Sequence, residues 1–333
     1  MTIQILLLYI AIAAAVLTGI IGWLKKGHAH WLMTFLQNFT GILFIVSGMV
    51  KAVDPMGTAF KMEQYFSEFE YTLAETSMSF LAPIFPFLSS ISIVFSVGMI
   101  VLEIVLGILL LMGHKGKATS WAFLLLVVFF TMLTGFTYLT GYVPSGANFF
   151  EFSKWGPYTE TNMRVTDCGC FGDFIKLVPR ISFFKDLVLL IPAVYFVFRH
   201  KDMHQLFTPR VRSITAWAAT IFLILFCLRN FYWGLPVVDF RPFKVGTDLY
   251  QKKTQEEEAA AAVKITGWKL QNNKTKEIKV LTYDEYMGNL ASYPKEEWTV
   301  VDQIKTEPAI EHTKVSEFSI ISPDGFDVAE DIL

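Results

Sequence analysis

Six stretches of this chain are long and apolar enough to cross a bilayer, and that requirement dictates most of what it can fold into. They run over residues 3–24, 32–50, 91–112, 120–138, 184–198 and 214–231. A spanning helix needs roughly 20 apolar residues, because hydrocarbon offers no partner to backbone N–H and C=O groups. The expected fold is therefore an all-α polytopic membrane protein. The first stretch is read as a helix and not as a signal peptide, since no basic segment precedes it and no clear A-x-A cleavage site follows. Hydrophobic residues make up 53% of the 333 and charged residues only 17%, and a net charge of −2 speaks against a nucleic-acid partner.

Orientation follows from the basic residues of the short loops. One set of loops carries Lys25, Lys26, Lys115, Lys117, Arg199, Lys201, Arg210 and Arg212. The opposite set carries Lys51, Lys61, Lys154, Arg164, Lys176 and Arg180 over a much longer stretch. The first set is expected in the cytoplasm. Both termini then face the periplasm of a bacterial inner membrane.

Two outward loops are rich in aromatic residues. Residues 51–77 alternate Phe60, Tyr65, Phe66, Phe69 and Tyr71 with acidic and small residues, and 78–90 places Pro83 and Pro86 among large apolar ones. This reads as an interfacial helix feeding the third span. Residues 140–183 carry Tyr142, Phe149, Phe150, Phe152, Trp155 and Tyr158, which suggests a packed aromatic cap at the membrane face.

The second loop also holds Cys168-Gly169-Cys170, within TDCGCFGD at 166–173; the chain's other cysteine is Cys227. A ring closed by two cysteines this close strains the S–S geometry, and a strained disulfide is easier to reduce. An oxidising compartment makes a disulfide chemically sensible. A redox switch and a permanent structural staple both remain open. A zinc site is disfavoured, since no histidine is near and two thiolates do not complete one. Asp167 and Asp173 would raise the thiol pKa unless a cation or helix N-terminus opposes them. Cys227 lies in an apolar span and reads as packing.

After Trp233 the composition turns polar, and residues 234–333 read as a small α+β domain. Residues 264–270 and 276–282 flank a QNNKT turn as a hairpin, 283–290 suits a helix, and 298–304 and 315–321 suit strands, the last followed by Pro323-Asp324-Gly325. The domain boundaries expected are 1–31 for an extra first helix, 32–200 for the membrane core, 201–233 for the sixth span and 234–333 for the outer domain.

Three stretches resemble the DoxX/MauE superfamily. Residues 44–55 (FIVSGMVKAVDP) are similar to its G-x-x-K-x-x-D-P pattern at Gly48, Lys51, Asp54 and Pro55. Residues 102–113 are similar to E-x-x-x-G-x-x-L-x-x-G, beginning at Glu103. Residues 167–172, with the helix that follows, resemble the C-G-C-F-G loop of the MauE-type branch, in which Gly169, Phe171 and Gly172 accompany the cysteines. The resemblance implies a four-helix core bundle and a role near periplasmic thiol–disulfide chemistry. It does not reach the first span, the sixth span or the outer domain. Residues 315–333 are similar to the lead-in of thioredoxin-like domains, but the sequence ends before the strand that would carry a redox cysteine. No C-x-x-C occurs in the chain, so the pattern is a coincidence or the trace of a lost fold.

Glu103 stands deep in a span, where an ionisable group is costly and normally faces the bundle interior with a partner. A proton relay or ligand anchor is one reading; a hydrogen bond to Asn38, Gln37 or Ser47 is the other. Lys51 and Asp54 read as a helix-end pair. His28, His30, His200 and His204 read as solvated residues of the basic loops. Three functions fit: a thiol–disulfide component acting through Cys168 and Cys170 on a periplasmic, thioredoxin-like partner; a non-catalytic scaffold subunit of an envelope complex; and a small-molecule or lipid-binding bundle. A quinone is the one cofactor class this admits, but dedicated quinone-coupled thiol oxidoreductases use two cysteine pairs and this chain has one.

Overall fold

The computed structural model describes all residues except 1, 26–29, 145, 160–161, 166–168, 170, 173, 176, 235–236, 239–242, 245, 274, 276, 290–291, 295, 307–308, 311–312, 314, 317, 327 and 333, and only the backbone at 302, 330 and 331. It forms two compact units, Met1–Asp239 and Phe240–Leu333.

The first unit is built from α1 (Ile3–Leu24), α2 (Trp31–Val53), α3 (Pro55–Ala74), α4 (Ile84–Ser90), α5 (Ser92–Met112), α6 (Gly116–Thr140), α7 (Pro179–Arg199) and α8 (Pro209–Phe231). Among the described residues, α1, α2, α5, α6, α7 and α8 are long and apolar enough to cross a membrane. Their outward faces are large hydrophobic residues, such as Leu8, Val94, Met132, Ile191 and Ile221. In water such surface would be a liability; toward lipid tails it is the expected finish.

Two helix pairs make the centre of the bundle. In the first, α2 packs on α5. A Cβ on Gly107 would lie 2.7 Å from the Gly41 carbonyl, and one on Gly41 would lie 2.9 Å from that of Gly107. The two glycines let the backbones meet, as small residues do at membrane helix crossings. In the second, α6 packs on α7. The two pairs share a core in which Leu43, Phe44, Leu110, Phe123 and Phe196 are buried. Outside this centre, α1 lies on α2 and α8 lies on α5, and Cys227 of α8 is buried beside Ile100 and Leu223.

Three elements differ from the sequence reading. Residues 55–74 form a full helix, not an alternating segment. Asp54 caps it by accepting from the Gly57 N–H at 3.2 Å, and Pro55 occupies its first turn. Met62, Tyr65 and Phe66 make its buried face. The fifth span starts at Pro179, five residues early, since a proline suits the first helical turn and Arg180, the one charge between it and the expected start, stays exposed. The interfacial segment is split into a 3-10 turn at Ser79–Leu81 and the short α4, with Phe80, Ile84 and Phe87 exposed.

The second unit holds α9 (Leu249–Ala261), β1 (Ile265–Asn272), β2 (Ile278–Thr282), α10 (Tyr283–Gly288), β3 (Trp298–Lys305) and α11 (Ala329–Ile332). Its sheet is antiparallel with order β2-β1-β3. Trp268 on the central strand stacks on Tyr283 and Tyr286, and Leu270 is fully buried. Glu256 of α9 is buried and accepts hydrogen bonds from the Thr313 N–H, the Thr313 hydroxyl and the Ser316 hydroxyl. The strand expected at 315–321 is absent among the described residues. The segment is tied to α9 by those bonds instead, and it leads into a tight turn at 322–326 with Gly325 in the left-handed region (φ +85°).

Candidate functional site

Lys51 sits two residues before the end of α2. Helical Cβ atoms tilt toward the N-terminus, so its stem runs back into the bundle and not out to the interface. Its Nζ reaches Glu103 Oε2 at 2.7 Å and donates to the Ser47 hydroxyl at 3.3 Å. It also lies 4.9 Å from the ring centroid of Phe130. Lys51 is 7% and Glu103 2% exposed. The pair is thus enclosed by three helices. The expected Lys51–Asp54 pair does not form, because Asp54 turns outward to cap α3 while Lys51 points the other way.

The neighbouring glycines explain the spacing. A Cβ on Gly48 would lie 2.4 Å from Ile104 Cγ1, so α5 comes closest one turn before Lys51 and one residue past Glu103. Gly107, one turn beyond Glu103, marks the crossing with Gly41. Leu110 is buried, and its carbonyl accepts from Gln37 Nε2 at 3.1 Å. Gly113 closes α5 in the left-handed conformation (φ +62°). Gln37 and Asn38 therefore serve elsewhere: Asn38 donates to the Thr18 hydroxyl at 3.0 Å.

A second buried carboxylate escaped the sequence reading. Asp186 of α7 is 1% exposed, is 2.5 Å from Lys185 Nζ, and accepts from the Thr134 hydroxyl of α6 at 3.0 Å. Thr134 lies one helical turn from Phe130, whose ring faces Lys51. Each of the two central helix pairs thus holds a buried carboxylate of its own. The signal was the Lys185-Asp186 step just inside the expected span.

The C-G-C-F-G loop rests on this region through its described residues. Phe171 is 1% exposed and belongs to the central core. A Cβ on Gly172 would be 3.8 Å from Val50 Cγ1, beside Lys51, and one on Gly169 would be 3.2 Å from Lys61 Cγ. Both glycines are in the left-handed region, at φ +59° and +50°, and the Gly172 N–H donates to the Gly169 carbonyl at 3.2 Å. Only glycine adopts such angles without cost. Cys168, Cys170, Asp167 and Asp173 lie outside the described residues. The rest of the 141–178 loop is pinned by Arg164, which bonds the Ala147 carbonyl at 2.8 Å and meets Glu68 at 3.4 Å, and by Asn148, which donates to the Thr72 carbonyl at 2.9 Å. Phe136, Phe149 and Trp155 stack in series beneath it.

The opposite end of the bundle carries a polar clasp. Gln37 accepts from the His204 N–H at 2.9 Å, and His204 Nε2 meets the Leu111 carbonyl at 2.8 Å. His204 is buried, not solvated as expected. Arg212 donates to the Gly113 carbonyl at 2.7 Å and to Gln205 Oε1 at 3.1 Å. Burial, then the charges of Arg212 and Lys115, hold the pKa of His114 below its ordinary value.

A bundle of spanning helices closed around a buried lysine–carboxylate pair defines a polytopic helical membrane protein. Residues 29–146, less than half of the chain, match the family described as methylamine utilisation protein MauE. The match covers α2, α5 and α6 with both residues of the ion pair. No curated protein and no solved structure matches the chain.

Proposed function

We propose that this chain takes part in thiol–disulfide exchange at the outer face of a bacterial inner membrane, with Cys168 and Cys170 as the exchanging pair. The observation that carries the reading is the seat of the motif. Phe171 plugs the bundle core while Gly169 and Gly172 turn the chain in left-handed conformations, so the segment is fastened at the residues between and after its cysteines. The Lys61 stem lies beside Gly169, and its Nζ donates to Gln64 Oε1 at 2.9 Å. In the exchange, one thiolate attacks a sulfur of the partner's disulfide and releases the partner's other sulfur as thiolate. The second cysteine then attacks the mixed disulfide. Two electrons pass to the partner, which leaves as a dithiol, and Cys168–Cys170 remains as the disulfide; the reverse sequence oxidises the partner.

The partner suited to this step is a thioredoxin-like protein of the same compartment. The bonding of Glu103 to Lys51 favours a structural part for that carboxylate over a role as ligand anchor in a small-molecule carrier. The same observation supports the scaffold reading as the competitor. The test is trapping in cells. Cys170→Ser leaves Cys168 without its resolving thiol, and Cys168→Ser does the converse. At least one variant is expected to give a reductant-sensitive adduct of higher mass on non-reducing gels. No adduct from either, together with normal growth and partner maturation in the double variant, overturns exchange and leaves the scaffold.

A further inference from the structure

The end of the bundle away from the C-G-C-F-G loop gathers positive charge that its own carboxylates do not neutralise. Lys25, Lys115, Lys117 and Arg212 form no ion pair among the described residues. Lys25 Nζ donates to the Gln205 carbonyl at 2.6 Å, and Arg212 donates to the Gly113 carbonyl and the Gln205 amide oxygen. These are neutral acceptors, so the charges stand. Lys115 and Lys117 are exposed. The sequence from Leu109 to Leu125 contains no acidic residue. The lowered pKa of His114 has burial as its first cause and the charges of Arg212 and Lys115 as the next, which agrees with a positive local potential.

Two of these charges, Lys115 and Lys117, line a shallow, open concavity together with Gly116, Ala118 and Trp121, about 610 Å³ in volume. The turn is held firmly. The Thr119 hydroxyl bonds the His114 carbonyl at 2.6 Å, and a Cβ on Gly116 would lie 2.8 Å from the His200 carbonyl. Lys115 itself is held at φ +43°. The site lies where the apolar spans α5 and α6 end, so its surroundings are the headgroup layer. Trp121, about half exposed, is the amphipathic residue expected at that depth.

We propose that this concavity binds the phosphodiester headgroup of an anionic phospholipid, with Lys115 and Lys117 meeting the phosphate and Trp121 packing along the glycerol and upper acyl chain. Charge complementarity selects an anionic lipid over a zwitterionic one, and the exposed Trp121 ring beside the lysines selects a lipid over a free anion. Basic residues at the end of a spanning helix have the character such headgroups need.

The test is native mass spectrometry of the full chain released from micelles containing phosphatidylglycerol or phosphatidylcholine. The wild type is expected to retain phosphatidylglycerol preferentially. The double variant Lys115→Gln/Lys117→Gln should lose that preference, with binding on the order of thirty-fold weaker, because each near-surface lysine contributes about a five-fold factor. Lys154→Gln, an exposed lysine in the outer loop, should bind as the wild type does. Trp121→Ala should weaken retention of the lipid while keeping the preference for phosphatidylglycerol. Equal retention of both lipids by the wild type, or unchanged selectivity in the double variant, overturns the proposal. Full displacement of the lipid by millimolar inorganic phosphate would show a phosphate site instead of a lipid site and equally overturn it.

Discussion

Removing one member of the Lys51–Glu103 pair should cost far more than removing both, and the two single losses should differ. Breaking a buried ion pair from one side leaves an uncompensated charge and costs about 3–5 kcal/mol, whereas replacing both members with apolar residues is often near neutral. Glu103 lies eleven residues into α5, roughly 16 Å from its start at 1.5 Å per residue. An orphaned carboxylate there has no route to water, so Lys51→Met should cost near the upper end of that range. Lys51 is two residues from the end of α2. An orphaned ammonium there can swing outward on its long stem and reach the interface, so Glu103→Leu should cost near the lower end. A change of 1 kcal/mol corresponds to about 2–4 °C for a unit of this size. Thermal unfolding in detergent should therefore show drops of about 6–20 °C for the singles. The double variant Lys51→Met/Glu103→Leu should fall within a few degrees of the wild type. Additive losses in the double variant, or a Glu103→Leu protein less stable than Lys51→Met, would refute the burial argument.

Gly107→Ala should destabilise the α2–α5 crossing by about 1–3 kcal/mol through overpacking, since its Cβ would meet the Gly41 carbonyl at 2.7 Å; Gly98→Ala on the same helix, where nothing lies within 4 Å, should be neutral or slightly stabilising, and equal thermal shifts for the two would count against a close crossing. The second unit should lose stability in acid. Burial alone would raise the pKa of Glu256, but bonds from Ser316 and Thr313 and the charge of Lys252 outweigh it, while the Thr282 N–H and hydroxyl lower that of Glu285. Both folded values lie below the ordinary 4.5, so the stabilisation is present above that pH and is lost as pH falls through the lowered values. Near-ultraviolet circular dichroism of the full chain from pH 7 to 3 should show this loss, and Glu256→Gln should blunt it; an unchanged acid midpoint in the variant would argue that Glu256 is not the sensing group.

The spans were legible because a bilayer imposes a length and a polarity that few sequences meet by accident. The buried pair was half legible. Glu103 announced itself as a carboxylate inside a span, and Lys51 stood in a recognisable pattern. Their pairing did not follow from the sequence, since Asp54 is three residues from Lys51 and Glu103 is fifty-two away. Adjacency along the chain favoured Asp54; the backward tilt of helical side chains and the glycine crossing favoured Glu103. The helix at 55–74 was hidden by reading Tyr65, Phe66 and Phe69 as alternation, although Met62, Tyr65, Phe66 and Phe69 follow the i, i+3, i+4, i+7 spacing of one helical face. Hydropathy alone starts the fifth span at 184, which leaves Asp186 at its border and hides it. Pro179 in the first turn moves it two turns inside.

The way the charges are paired bears on how the thiols would work. A proton carrier within a membrane must change partner, which requires a group with somewhere else to go. Glu103 is bonded to Lys51, and Lys51 is also engaged by Ser47 and the Phe130 ring. Asp186 is likewise held by Lys185 and Thr134. Such pairs fasten helices better than they move protons. What they fasten is the floor on which Phe171 and Gly172 sit, since Val50 precedes Lys51 in α2 and Phe171 packs into the shared core. Exchange between two protein disulfides needs no proton path through the membrane. It needs a fixed seat and two thiols able to reach a partner. On the proposed reading, the buried pairs supply the seat, and the protons are traded with water and partner at the outer face.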